Sequence, residues 1–194
     1  MNEIDSYILV SGGRSSRFGS DKANINLDGA TLLTRHIEAI GSVTPIVVVG
    51  DESNHQKENI RWTREEPAFG GPVTAIAAGL AKTPPSAKSI AVIAVDMPYA
   101  VDVVRGLDLS LLDGHDAVIP TDEEGFPQPL CAIYSVVALI RALDAIEPLE
   151  GKSMRELASH LNVLHIRLAS DRQYALVDID TPSDLEKVRD GRMD

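Results

Sequence analysis

The sequence predicts an α/β protein with a mostly parallel central sheet and helices on both of its faces. Short runs of β-branched residues alternate with stretches whose apolar residues have helical spacing, and this alternation is typical of βαβ units. The runs are apolar throughout instead of alternating with polar residues, which indicates strands covered on both sides. With 194 residues and 44% hydrophobic residues, the chain can bury the core of one domain, expected over residues 1–194.

The elements follow from this pattern in chain order. Strands are predicted at residues 7–10, 46–49, 90–95, 117–119 and 163–168. Helices are predicted at residues 31–40, 72–81, 136–146 and 153–161. Ser153 precedes Glu156 by three residues, the spacing of a capping box, and the stretch Thr181-Pro182 opens a final helix.

The charge of the chain excludes several classes of partner. The net charge is −11 and the pI about 4.8, so the chain lacks the basic surface that nucleic acids and anionic membranes require. No apolar run approaches the roughly 20 residues of a spanning helix, and Glu3 and Asp5 stand where a signal peptide is basic. Cys131 is the single cysteine, which excludes an internal disulfide. We expect a cytoplasmic protein that is a monomer or a weak homo-oligomer.

A glycine-rich basic segment follows the first predicted strand. Residues 11–22 read SGGRSSRFGSDK, and they place Arg14, Arg17 and Lys22 among three glycines. Glycines let backbone amides approach an anion, and three cations within nine residues of an acidic chain favour phosphate binding over an ordinary surface turn. The segment is neither G-x-G-x-x-G nor a Walker loop, and Gly151-Lys152-Ser153 also fails the Walker pattern because position 146 is isoleucine.

Two sets of carboxylates are candidates for the ligand site of an open parallel sheet, which lies beyond the carboxyl ends of the strands. Asp96 comes directly after the strand at 90–95, and such an oxygen ligand suits Mg²⁺, although a turn cap is an equal alternative. Asp178 and Asp180 are two residues apart and would point the same way in an extended segment. The structural alternative for Asp180 is a cap of the final helix.

These motifs resemble those of the molybdenum cofactor guanylyltransferase family. The family signature L-x-G-G-x-S-x-R-M-G-x-D-K matches residues 12–22, with Phe18 in place of methionine. The family's D-x-P matches Asp96-Met97-Pro98, and its N-x-N-T-P-E-D-L matches residues 178–185 with aspartates replacing both asparagines. The resemblance extends from Ile8 to Leu185 and implies a three-layer α/β/α, Rossmann-like nucleotidyltransferase fold.

The resemblance also implies roles for individual residues. Arg17 and Lys22 would neutralise charge on a leaving pyrophosphate, and Asp96 would be a catalytic residue that binds Mg²⁺. Asp180 is the preferred second metal ligand, with Asp178 kept as the alternative. The residues expected around the nucleotide are Val10, Ser11, Gly12, Gly13, Arg14, Lys22, Gly50, Glu65 and Asp96.

The segments implied to bind the base and the acceptor depart further from the family. Glu65 and Glu66 are both candidates to read the base, and Gly50 stands where the family often has an asparagine. Residues 125–134 resemble the family's R-x-Q-P-L-x-A-L-Y, which makes Gln128 an acceptor contact, with Phe126 at the position of the arginine. The five histidines show no metal-ligand spacing.

The implied reaction is transfer of GMP from GTP to the phosphate of a molybdopterin-type acceptor, with Mg²⁺ as cofactor and pyrophosphate as product. A molybdoenzyme or its chaperone is the expected protein partner. The alternatives are a cytidylyltransferase, a nucleotidyltransferase for another phosphorylated acceptor, and a nucleotide-binding relative without turnover. The glycine pair Gly12-Gly13 favours the guanylyl branch over the cytidylyl branch, whose loop reads P-A-A-G.

Overall fold

The computed structural model describes residues 3–11, 22–52, 55 and 57–189. The strands are β1 Ser6–Val10, β2 Asn26–Leu27, β3 Ala30–Thr31, β4 Ile46–Val49, β5 Ile60–Thr63, β6 Ser89–Ala94, β7 Ala117–Thr121, β8 Cys131–Ser135 and β9 Val163–Arg167. The α-helices are α1 Leu32–Ile40, α2 Pro72–Leu80, α3 Ala100–Arg105, α4 Val136–Ala145, α5 Met154–Ala158 and α6 Pro182–Arg189. Short 3₁₀ helices cover Lys22–Asn24, Leu109–Asp113 and Ser170–Leu176.

Seven strands form the central sheet in the order β5-β4-β1-β6-β8-β7-β9. Six of these strands run in one direction, and β8 is antiparallel to both of its neighbours, β6 and β7. The mostly parallel sheet predicted from the sequence is therefore confirmed. The predicted elements did not include β5, β8 or helix α3. An exposed arginine interrupts β5, and α3 has only six residues, whereas the structure gives no such reason for β8.

Two apolar layers cover the sheet because successive strand residues point to opposite faces. Leu9 packs in one cluster with residues of α1, α3 and α6, while its neighbour Ile8 packs in the other with residues of α2, α4 and α5. The result is the three-layer arrangement that the sequence predicts. In the described part of the chain, no helix has the length and apolar character needed to cross a membrane.

The register of the strands brings several segments to one edge of the sheet. Val10 pairs with Val49 and Ala94, and Val49 pairs with Thr63, so the residues that follow β1, β4, β5 and β6 meet there. Strand β8 runs in the opposite direction, and the residues before it reach the same edge, where Ala94 N–H donates to the Leu130 carbonyl at 2.7 Å. This edge holds the predicted site.

Candidate active site at the carboxyl ends of the strands

The exit of the central strand β6 is fixed by hydrogen bonds on both sides of Asp96. The Val95 N–H donates to the Val10 carbonyl at 3.0 Å. The Val95 carbonyl lies 3.2 Å from Nε2 of His36, a buried residue of α1. Burial lowers the pKa of His36 to about 4, so the imidazole is neutral and its Nε2–H donates to that carbonyl. Asp96 itself is half-buried.

The C-terminal carboxylate segment meets Asp96 directly. The Ile179 N–H donates to the Asp96 carbonyl at 2.9 Å, and the Ile179 side chain is fully buried beside it. Asp178 is exposed and Asp180 half-buried on either side of this anchor. The structure therefore brings together the two carboxylate segments that the sequence singled out.

The final helix has a cap formed by Thr181 and Asp184. The Asp184 carboxylate accepts hydrogen bonds from the Thr181 N–H at 2.8 Å and the Thr181 hydroxyl at 2.7 Å. The Asp184 N–H donates back to the Thr181 hydroxyl at 3.3 Å, as in a capping box. These bonds, first among them that from the Thr181 hydroxyl, lower the pKa of Asp184. Whether Asp180 also contributes to this cap or binds a metal ion stays a prediction.

The donor set of this corner suits a metal ion that is shared with a substrate. Among the residues that the structure describes, no group of three or more His, Cys, Asp or Glu side chains could hold a metal ion by itself. Mg²⁺ is commonly held by one or two carboxylates together with substrate phosphate oxygens and water. Asp96 and Asp180, on segments joined by the Ile179 hydrogen bond, fit that requirement.

The glycine-rich basic segment begins at a fixed point on the sheet. Val10 is buried, and Ser11 donates both its N–H, at 2.9 Å, and its hydroxyl, at 3.0 Å, to the Val49 carbonyl. At the other end of the segment, Lys22 begins the 3₁₀ helix Lys22–Asn24, and for Lys22 the structure describes the backbone alone. Four predicted residues lie outside the described residues, namely Gly12, Gly13, Arg14 and Arg17.

The predicted base-binding residues lie after β4 and β5. The Gly50 N–H donates to the Thr63 carbonyl at 2.9 Å. The Glu65 carboxylate accepts the Phe69 N–H at 3.3 Å, which ties Glu65 to its own loop. Glu66 is exposed and lines a separate cavity of about 600 Å³. The choice between Glu65 and Glu66 stays a prediction.

Gln128 lies on a wide groove of about 950 Å³, which Tyr174 and Asp178 also line. Its backbone N–H donates to the Pro120 carbonyl at 2.8 Å, and its side-chain Nε2 donates to Asp122 Oδ2 at 3.3 Å. The sequence analysis named neither Asp122 nor Tyr174. Asp122 precedes Gln128 by six residues and Gly125 lies between them, a pattern from which a hairpin could have been predicted.

Comparison with known sequences decides the family. The sequence profile of the family described as "MobA-like NTP transferase domain" matches residues 7–164. This chain belongs to that family. The MobA-like membership confirms the resemblance drawn from the motifs, and it makes the chain an enzyme of the nucleotidyltransferase class.

Two curated relatives match most of this MobA-like chain. A protein of Natronomonas pharaonis named "Probable molybdenum cofactor guanylyltransferase" is 30% identical over 94% of the chain and 96% of its own length. A protein of Methanosarcina mazei with the same name is 28% identical over 94% and 89%, respectively. Both matches support a role in molybdenum cofactor biosynthesis.

Solved structures confirm the fold. Molybdopterin-guanine dinucleotide biosynthesis protein A from Archaeoglobus fulgidus superposes with a TM-score of 0.71 at 24% identity, covering 97% of this chain and all of that one. A 4-diphosphocytidyl-2C-methyl-D-erythritol synthase from Anaerococcus prevotii gives 0.69 at 14% identity, covering 96% and 97%. Because enzymes named for different nucleotides share it, the fold alone does not select the base.

Proposed function

We propose that this chain transfers the guanylyl group of GTP to the phosphate of molybdopterin, with Mg²⁺ as cofactor, and releases pyrophosphate. The observation that carries the proposal is the hydrogen bond from Ile179 to the Asp96 carbonyl. It brings two carboxylate segments of the family to the edge of the sheet at which the glycine-rich segment begins. The names of the curated relatives support the choice of guanylyl transfer and of this acceptor.

The proposed chemistry needs positioned charges and no general base. An oxygen of the acceptor phosphate, already anionic, attacks the α-phosphorus of GTP while the bond from that phosphorus to the bridging oxygen breaks, and the electron pair leaves with pyrophosphate. Arg17 and Lys22 would neutralise the charge on the departing group. His36, buried, neutral and hydrogen-bonded to the Val95 carbonyl, takes no part as a base.

Asp96 and Asp180 are the residues that would hold Mg²⁺. When bound, the metal supplies positive charge to the phosphate oxygens of the nucleotide. The chain's own contribution is to keep the two carboxylate segments in place through the Ile179 hydrogen bond and through the Thr181–Asp184 cap. Preorganisation of this kind lowers the reorganisation that accompanies transfer.

Pyrophosphate release tests the proposal. GTP, CTP, ATP and UTP are each supplied with Mg²⁺ and molybdopterin to the parent protein and to the variants Asp96→Ala and Lys22→Ala. We expect release from GTP alone, reduced about 100-fold or more in both variants, as is usual when one transition-state donor is removed. Asp144→Ala, on the exposed side of α4, and Lys88→Ala, at the opposite edge of the sheet, are matched controls expected to keep the parent rate.

The other outcomes identify the alternatives. Release from CTP would retain the chemistry and overturn the choice of base. Release only with a different phosphorylated acceptor would overturn the acceptor. Tight nucleotide binding without release for any acceptor would indicate a binding protein and contradict the proposal.

A further inference from the structure

The groove beside Gln128 is strongly acidic. The described residues that line the groove include six carboxylates and one cation, Lys187. The carboxylates are Asp122, Glu123, Glu124, Asp171, Asp178 and Asp184. Such a field repels a phosphate and attracts N–H donors. An acceptor that carries both would therefore keep its phosphate out of the groove and place a neutral end rich in N–H groups in it.

One of these carboxylates has a defined structural task. Asp122 Oδ1 accepts the Phe126 N–H at 2.8 Å, and Asp122 Oδ2 accepts Nε2 of Gln128 at 3.3 Å. Backbone hydrogen bonds close the same hairpin, from Asp122 N–H to the Phe126 carbonyl at 3.1 Å and from Gln128 N–H to the Pro120 carbonyl at 2.8 Å. The carboxylate is thus held by the hairpin on one oxygen and holds the glutamine with the other.

This contact decides which end of the Gln128 amide is offered to the groove. An ionised carboxylate only accepts hydrogen bonds, so the amide must turn its NH₂ group towards Asp122. The carbonyl oxygen Oε1 is then the amide atom available to a ligand. Tyr174, partly exposed on the groove and packed edge-on against Tyr99 with ring centroids 5.6 Å apart, adds an aromatic surface for a planar ring.

We infer that Asp122 is a positioning residue for acceptor specificity: it fixes Gln128 so that Oε1 accepts a hydrogen bond from the N–H edge of a planar heterocycle. The ligand class is a 2-amino-pyrimidinone ring, whose exocyclic amine and neighbouring ring N–H are both donors. The inference rests on the proposed function, because it assigns the heterocyclic end of the acceptor to this groove.

The first test separates the orientation of the amide from the charge. In Asp122→Asn, the short bond from Phe126 N–H keeps the Asn oxygen on the hairpin side, so the Asn NH₂ faces Gln128 and the Gln128 amide reverses. The Gln128 NH₂ group then faces the N–H groups of the acceptor, and two donors cannot form a hydrogen bond. We therefore expect the acceptor KM to rise about tenfold or more while the KM for GTP is unchanged. Glu124→Gln removes one negative charge from the same groove without touching Gln128, and it should change the acceptor KM less than threefold.

A rescue variant distinguishes positioning from a merely structural role. In Asp122→Asn combined with Gln128→Glu, the new carboxylate accepts the Asn NH₂ and again offers an acceptor oxygen to the groove. We expect the acceptor KM to return to within about threefold of the parent value. An acceptor KM that Asp122→Asn leaves unchanged, or that the double variant fails to restore, would overturn the inference.

The second test does not depend on turnover. Binding of pterin, with its 2-amino group, is compared with binding of lumazine, which has a carbonyl oxygen at that position, through the fluorescence of each compound. We expect the parent to bind pterin about tenfold more tightly and Asp122→Asn to lose this preference. Equal binding of both by the parent contradicts the inference. A pterin preference that depends on Asp122 in a protein that releases no pyrophosphate would leave the inference standing and overturn only the proposed function.

Discussion

The Ile179 N–H donates a hydrogen bond of 2.9 Å to the carbonyl oxygen of Asp96. This contact joins the segment before the last helix to the end of the central strand, and the buried Ile179 side chain anchors it. The two aspartates on either side of Ile179 nevertheless have different surroundings. Asp178 is exposed and lines the acidic groove, whereas Asp180 is half-buried next to the Thr181 cap.

This difference predicts which aspartate binds the metal ion. Asp180→Asn should raise the Mg²⁺ concentration for half-maximal activity about tenfold or more, because an amide is a much weaker Mg²⁺ ligand than a carboxylate. Asp178→Asn makes the same change in size and charge on the other side of Ile179, and it should raise this Mg²⁺ concentration less than threefold. Titration of pyrophosphate release with Mg²⁺ at saturating GTP measures both. The reverse order would make Asp178 the ligand.

The buried His36 predicts a stability that depends on pH. Burial is the main reason why the pKa of His36 is about 4, below the ordinary value of 6.5, and the positive charge of Arg35 lowers it further. The hydrogen bond to the Val95 carbonyl and the negative charges of Asp96 and Asp102 act in the opposite direction. Between these values the unfolded chain binds the additional proton, so this contribution to stability is complete above pH 6.5 and is lost progressively as the pH falls from 6.5 to 4. The loss amounts to roughly 2–3 kcal/mol at pH 4.5.

Urea unfolding at pH 7 and pH 4.5, in a buffer with a metal chelator, checks this expectation. His36→Gln is the control, because its amide can still donate to the Val95 carbonyl but does not titrate. We expect the parent to lose roughly 2–3 kcal/mol more than the variant on acidification. Equal losses would mean that His36 is protonated in the folded protein.

Close packing of α2 on the sheet predicts a sensitive glycine. A Cβ atom at Gly79 would lie 2.6 Å from Cγ2 of Ile8 and 3.1 Å from Cγ2 of Val49, both fully buried. Gly79→Ala should therefore lower the free energy of unfolding by about 1–3 kcal/mol, despite the better helix propensity of alanine. Gly114→Ala, where no atom lies within 4 Å of the added Cβ, should change it by less than about 0.5 kcal/mol. A neutral Gly79→Ala would show that the helix can shift outward.

Local patterns in the sequence were enough for the layers and for many element boundaries. The all-apolar run at residues 46–49 coincides with β4, because a strand buried on both faces needs no polar positions. The Ser153–Glu156 spacing forms the predicted capping box, since both partners lie within one turn. The motif after the first strand identified the family, and Asp96 was singled out because it follows a buried strand.

Tertiary structure alone decided what depends on residues far apart in the chain. The position of β8 between β6 and β7, in the opposite direction, follows from pairing that no local period encodes. The contact of Ile179 with Asp96 and the hold of Asp122 on Gln128 likewise arise only when the strand ends meet. The motifs of the sequence therefore determined the family of this chain and the residue types that its site can use. The paired sheet edge determined which carboxylates and amides lie close together, because hydrogen bonds require contact in space.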